Sequence, residues 1–339
     1  MKKETLNIEL FFKDKPELKF IIDVLSKQSV ITNEVRKSID KLNQKEFVRL
    51  IKHHRLDSIF YKAIQEQNII LPIEFKTKLD VINKRNKMRM MKLTAELIRI
   101  HQLFTENGIE YISLKGPALS QQIYGDYTIR CSRDLDILVK VKDLNKVNLL
   151  LNKINYKTNT KNTTLCRYAD KDIIYFNNKA NVILEIHHRF FINKYLFPLK
   201  TVFIDNYKTL KINNQEIHIL SDHINFLYLT SHSATHNWAR MTWTIDTLNL
   251  KRELNSNTFL KIKEISIKTG VDKLFNQALN MSYEKFLKIS NEKQYVLIKK
   301  FFFRLSLNKK IKYKLQEVIY RLLTPYRVNK KNQTDKLFF

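Results

Sequence analysis

Lys115-Gly116-Pro117, Arg130 and Asp134-Leu135-Asp136 fall within twenty-two residues, and they are the part of the chain whose types and spacing read as chemistry. Side chains alternate between the faces of a strand, so in the run Arg133-Asp134-Leu135-Asp136-Ile137-Leu138-Val139 residues 134 and 136 project the same way. Two carboxylates on one strand face make a site for a divalent cation. Leu135 and the apolar run Ile137-Leu138-Val139 give that strand a core to anchor in.

The elements that must position these groups follow from punctuation and period. Only four glycines occur, and Gly108, Gly116 and Gly125 lie within eighteen residues, so tight backbone geometry concentrates around the motif. Residues 1–107 contain no glycine and read as an N-terminal helical region: Leu93, Leu97, Ile100 and Leu103-Phe104 share one stripe, with Asn107-Gly108 as the stop. From there the texture turns α/β over 108–220. Ile109–Leu114 reads as a strand, Pro117–Tyr124 as a helix opened by proline, and Leu135–Val141 as a second strand. Asp143 is placed to cap a helix carrying Leu144, Val147, Leu150, Leu151 and Ile154. Asp172–Asn177 and Val182–His188 are further strand-like runs, and 202–220 reads as extended pieces about a turn at Asn213-Asn214. A C-terminal helical domain, 221–325, starts at Ser221-Asp222, and 326–339 is a basic tail. No internal repeat is present.

Composition sets outer bounds. The chain is 339 residues with 44% hydrophobic content, including 21 Phe and 15 Tyr, enough for a sizeable core. No run is long and apolar enough to span a bilayer, and the start at Met1-Lys2-Lys3 lacks an export pattern, so the expectation is a cytoplasmic protein. Cys131 and Cys166 make neither a disulfide framework nor a zinc spacing. Of the net charge of +28, about half arises in residues 251–339, which hold 21 Lys and Arg against 7 Asp and Glu. Such a surface attracts RNA or another polyanion, although charge runs are also simply solvated faces.

Lys115-Gly116, a helix, Arg130, Asp134-x-Asp136 on a strand, and a later strand ending Leu184-Glu185-Ile186-His187 together resemble the DNA polymerase β-like nucleotidyltransferase superfamily. The resemblance is to its uncharacterised bacterial nucleotidyltransferase family, with a Leu-Lys-Gly motif, an Arg before Asp-x-Asp, and a Glu-x-His strand. His232-x-x-x-His236-Asn237-Trp238-x-Arg240-x-x-Trp243-x-x-Asp246 is similar to that group's helical region. The resemblance implies an α+β fold: a polymerase β-like domain with a small mixed sheet, flanked by helical regions. It also implies an enzyme that transfers a nucleotidyl group from an NTP, with Mg2+ (or Mn2+) as cofactor and pyrophosphate as product. Asp134, Asp136 and Glu185 would be the catalytic and metal-holding carboxylates, Glu185 binding the second metal or drawing the proton from the attacking hydroxyl. Lys115, Gly116, Arg130, Ser132, His187 and Arg240 would face nucleotide or phosphate.

Two departures narrow the group. The common superfamily signature carries Gly-Gly or Gly-Ser at the turn with the first Asp about ten residues later, whereas here Pro117 follows Gly116 and Asp134 stands eighteen positions on. Ser113 and Ser132 are candidates for the missing serine contact. Val182, Leu184 and Ile186 alternate against Glu185, leaving its carboxylate and His187 on the opposite face.

Other signals carry simpler readings. His232 and His236 share a helical face, but Ser233 stands where a metalloprotease pair needs Glu, so packing or nucleotide contact is favoured over zinc. Trp238 and Trp243 read as packing residues. Phe301-Phe302-Phe303 reads as core, with nucleobase stacking as the other use of such a face. The acceptor stays open among RNA, a protein hydroxyl and a small molecule or peptide. Two other classes compete: a catalytically silent nucleic-acid-binding or regulatory module on the same fold, and a phosphotransferase.

Overall fold

The computed structural model describes residues 16–26, 39–159, 170–191, 207–236, 240–268, 271–272 and 275–276. Trp238, Cys166, Phe301-Phe302-Phe303, the tail 326–339 and most of the basic last quarter lie outside the described residues.

Three short helices, α1 (Pro16–Leu25), α2 (Gln44–His53) and α3 (Asp57–Glu66), close on the first half of α4 (Ile73–Glu106). Phe20, Phe47, Phe60 and Phe75 pack there with ring centroids 5.4 to 6.3 Å apart. Asn43 starts α2 as a true cap, its side chain accepting from the Glu46 N–H at 3.1 Å. Helix α4 has 34 residues and is about 50 Å long at the usual rise. Its second half, Met90 to Phe104, leaves the phenylalanine cluster and packs on the sheet. It ends at the expected stop, where Gly108 takes φ 63° and the Ile109 N–H reaches back to the Phe104 carbonyl.

The sheet joins β1 (Tyr111–Ser113), β2 (Asp134–Val139), β3 (Lys157–Thr158), β4 (Asp172–Asn177), β5 (Val182–His187), β6 (Tyr207–Ile212) and β7 (Gln215–Leu220) in the order β3-β4-β5-β2-β1-β7-β6. β2 with β5 and β1 with β7 are parallel, and the other pairs are antiparallel, so the sheet is mixed as expected. Asn213 and Asn214 both take positive φ, which turns β6 into β7 in the two-residue hairpin that asparagine tolerates.

Strand alternation divides the sheet. Leu135, Ile137 and Val139, with Leu184 and Ile186, face a core built from α4 and α6 (Leu144–Lys153). Leu138 faces the other way, into a core with α5 (Gly116–Tyr124), α7 (Asp222–Thr235) and α9 (Ser256–Lys268). Asp134 and Asp136, at even positions like Leu138, therefore stand on the α7 side. Among the described residues, no helix is long and apolar enough to cross a membrane.

One expectation is corrected. Asp143 precedes α6, but its side chain makes no cap hydrogen bond. It closes a single 3₁₀ turn, Val141–Asp143, and its backbone (φ −90°, ψ −7°) is not the extended conformation that aims a capping oxygen at the first helical amides.

Helix α8 (Met241–Arg252) is fastened to the start of the sheet by a buried ion pair. The Arg130 Nε donates to Asp246 Oδ2 at 2.8 Å, and the Tyr124 hydroxyl donates to Oδ1 at 2.8 Å. Both charged side chains are almost wholly out of water. Removing one member leaves the other charged and unpaired, so Arg130→Met or Asp246→Ala is expected to cost about 3 kcal/mol or more. Urea denaturation checks this; a loss below about 1 kcal/mol would contradict it.

Candidate active site

The site begins where β1 ends. Leu114 extends the pairing with β2 through its N–H to the Asp136 carbonyl at 2.9 Å, then Lys115 and Gly116 turn the chain into α5. Gly116 makes that turn with φ +68°, in the left-handed region that disfavours side chains. The turn lies directly over β2: a Cβ at residue 116 would stand 3.6 Å from the Asp134 carbonyl oxygen. Lys115, in extended conformation, reaches back over β2 and places Nζ 2.9 Å from Asp136 Oδ1.

Register supplies the next groups. Parallel pairing sets Asp136 against Glu185 and Leu138 against His187, and antiparallel pairing of β4 on β5 sets Asp172 against His187. His187 Nε2 lies 3.0 Å from Asp136 Oδ1 and 3.6 Å from Glu185 Oε2, while its Nδ1 faces Asp172 Oδ2 at 3.9 Å. Asp136, Glu185 and His187 each offer one ligand atom, all within 4.8 Å of one another. Asp134 stands two residues along the same strand face. Its backbone carbonyl accepts from the Ser132 hydroxyl at 3.2 Å.

Crowded carboxylates and buried cations set the protonation states. Burial, reinforced by the charges of Asp136 and Glu185, pushes the Asp134 carboxyl up to about 6. Burial also opposes ionisation of Asp136, but Lys115 and His187 outweigh it and hold that carboxyl well below the usual range. Burial disfavours the charged forms of Lys115 and His187. The carboxylates reverse this, Asp136 foremost for Lys115 and Asp136 with Glu185 for His187, so both sit above their ordinary values. Lys171, ion-paired with Asp172 next in sequence, adds another cation, again raised against burial by Asp172 and Glu185.

Helix α7 closes the far side with aromatic groups. Tyr228 is buried within electrostatic reach of Lys115, and its ring lies 5.0 Å from that of Phe190. His232 stacks edge-on to Trp243 at 5.3 Å, and His236 lies 5.2 Å from the same ring. Burial and then Lys115 keep both histidines neutral, His236 down to about 3. Neither belongs to the ligand cluster found among the described residues.

The sequence-predicted residues are thus distributed unequally. Lys115, Gly116, Ser132, Asp134, Asp136, Glu185 and His187 are brought together. Arg130 lies beside them, but its Nε is committed to Asp246, and its backbone N–H donates to the Ser120 hydroxyl. Arg240 precedes α8, donates from Nη1 to the His53 carbonyl at 2.8 Å, and lies over the Trp243 ring. Ser113 is buried and turned toward the Lys115 carbonyl. Sequence reasoning missed Asp172, Lys171 and Tyr228. Asp172 begins a recognisable strand, yet only the β4–β5 register places it against His187.

A family model described as uncharacterised nucleotidyltransferase matches residues 40–286. No curated protein matches the chain. Among solved structures, it is similar to the solution structure of the antibiotic-resistance factor ANT(2'')-Ia, at 10% identity and a TM-score of 0.39, over 54% of this chain and 96% of that one. It is also similar to a crystal structure of an antigenic nucleotidyltransferase-like protein from Paracoccidioides brasiliensis, at 14% identity and a TM-score of 0.35, over 56% of this chain and 93% of that one.

The raised carboxyl of Asp134 makes a stability prediction for metal-free protein. Its folded value of about 6 exceeds the ordinary 3.8, so ionisation penalises the fold fully above pH 6 and not at all once both states are protonated. Asp134→Asn is expected to stabilise the protein at pH 7.5 in EDTA by about 3 kcal/mol, with the gain falling below about 1 kcal/mol near pH 4. Thermal melts across this range check it, and destabilisation at pH 7.5 is the contrary result.

Proposed function

The chain belongs to this nucleotidyltransferase family, and we propose that it is an active enzyme that moves a nucleoside monophosphate from an NTP to a hydroxyl acceptor, releasing pyrophosphate. The observation that carries this reading is the β2–β5 register, which gathers Asp136, Glu185 and His187 on one sheet face under Lys115.

The donor set suits a divalent cation. Asp134, Asp136 and Glu185 offer carboxylate oxygens, as Mg2+ prefers, and the imidazole of His187 makes Mn2+ acceptable too. Asp134, Asp136, Glu185 and His187 would hold such a cation, which would supply charge neutralisation for the triphosphate and activate its α-phosphorus. Lys115 keeps a permanent positive charge at the carboxylates, and the Gly116 turn leaves backbone amides at the start of α5 free of side-chain bulk for phosphate oxygens. His187 holds the Asp136 carboxylate in one orientation. Glu185 is the more open carboxylate, with 16% of its side chain exposed against 3% for Asp136. It accepts the acceptor hydroxyl's proton as that oxygen bonds to the α-phosphorus. The bond from the α-phosphorus to the bridging oxygen breaks, and pyrophosphate departs with the electron pair.

Among acceptors, one surface favours RNA. Between Val81 and Ala95, α4 exposes Lys84, Arg85, Lys87, Arg89 and Lys92 and no carboxylate. Arg89 approaches Cys131, three residues before Asp134, so this cationic stripe leads toward the site.

Incubation with Mg2+ or Mn2+, RNA and each NTP labelled at the α-phosphorus tests the reading. Label is expected to pass to the acceptor, and Asp136→Asn or Glu185→Gln to reduce transfer at least a hundredfold with folding retained. Transfer of γ-label instead would indicate a phosphotransferase. RNA binding with no transfer, insensitive to both substitutions, would indicate a silent nucleic-acid-binding module.

A further inference from the structure

Arg55 is expensive for the fold where it stands. It follows α2, and the helix stops on it: the Arg55 N–H bonds to the Lys52 carbonyl and the Leu56 N–H to the Ile51 carbonyl, forcing Arg55 into the left-handed region at φ 55°. Helices most often place glycine, or else asparagine, at that position, because other side chains are strained there. Arg55 takes part in none of the ion pairs among the described residues, and its Nε is buried without a hydrogen-bond partner. Burial lowers its pKa; Asp134 is the foremost opposing charge, and Arg130 and Arg133 add like charges nearby.

The turn is also held in place from outside. Arg240 donates to the His53 carbonyl, and the Thr242 N–H donates to the His54 carbonyl at 3.3 Å. Two residues at the start of α8 thus pin the backbone just before Arg55. A guanidinium on a strained and pinned backbone, with a buried Nε that has no hydrogen-bond partner and with Asp134 within electrostatic reach, fits a group kept for an incoming anion. Its flat fork of donors matches phosphate oxygens.

We infer that Arg55, carried in by the N-terminal helical region, binds the triphosphate of the NTP in the active site, with exposed Arg133 beside it on the same anion. The inference deepens the nucleotidyltransferase reading and rests on it. Arg240, on this account, is a positioning residue that serves phosphate through the Arg55 turn.

Arg55→Gly separates stability from binding, since glycine suits the backbone and removes a half-buried cation. Its Tm is expected to equal or exceed that of the wild type. With Mn2+ present, calorimetric affinity for the preferred NTP is expected to fall at least tenfold, and affinity for the matching NMP less than threefold. Arg55→Asn, which also tolerates the left-handed backbone, is the second variant and is held to the same criterion. Unchanged NTP affinity, or equal loss for NTP and NMP, overturns the inference while leaving the nucleotidyltransferase reading intact. Wild-type protein that binds no NTP removes the reading, and the inference with it.

Discussion

A slip of one residue between β2 and β5 would turn Glu185 and His187 into the core under α4 and α6, and their apolar neighbours out toward α7. The gathering of Asp136, Glu185 and His187 on one face depends on that register. It is held from both faces: Leu135, Ile137, Leu184 and Ile186 are locked in one core, and Leu138 in the other. β4 then adds Asp172 opposite His187 on the outer side, while β1 brings the Lys115–Gly116 turn from the inner side. The carboxylates thus lie mid-sheet, where neighbouring strands fix backbone positions far better than a loop could.

The consequence is a concentration of charge in a place with little water. Asp134, Asp136, Glu185 and Asp172 face Lys115, Lys171 and His187, and α7 lays Tyr228 and neutral His232 across them. In such surroundings each charge acts on its neighbours more strongly than in water, so the two carboxyls of the Asp-x-Asp pair diverge: Asp136 is held ionised and Asp134 is pushed toward protonation. Arg130 is paired deep inside with Asp246, whereas Arg55, within electrostatic reach of Asp134, keeps a buried Nε without a hydrogen-bond partner.

Much of this was legible in the sequence where the signal was local. The strand bearing Asp134 and Asp136, read as Leu135–Val141 and found at Asp134–Val139, the alternation that turns Glu185 away from Leu184 and Ile186, the turn at Asn213-Asn214 and the stop at Asn107-Gly108 all follow from spacing over a few residues. What was not legible depended on long-range pairing. Nothing near Arg130 announces Asp246, more than a hundred positions on, as its partner, and that partner changes the reading of a phosphate-facing arginine. Arg55 sits in an unremarkable polar run, and its significance comes only from backbone sign and missing partners. Asp143 shows the converse: the right residue type before a helix does not cap it when a 3₁₀ turn fixes its backbone.

The central claim is that the three carboxylates and His187 form a divalent-cation site that receives an NTP. Electron paramagnetic resonance of Mn2+ titrated into the protein, with and without a non-hydrolysable NTP, tests it directly. The account predicts loss of free Mn2+ signal on adding protein, binding tightened by the nucleotide, and loss of both effects in Glu185→Gln. Free Mn2+ signal unchanged by the protein, with or without nucleotide, would contradict it.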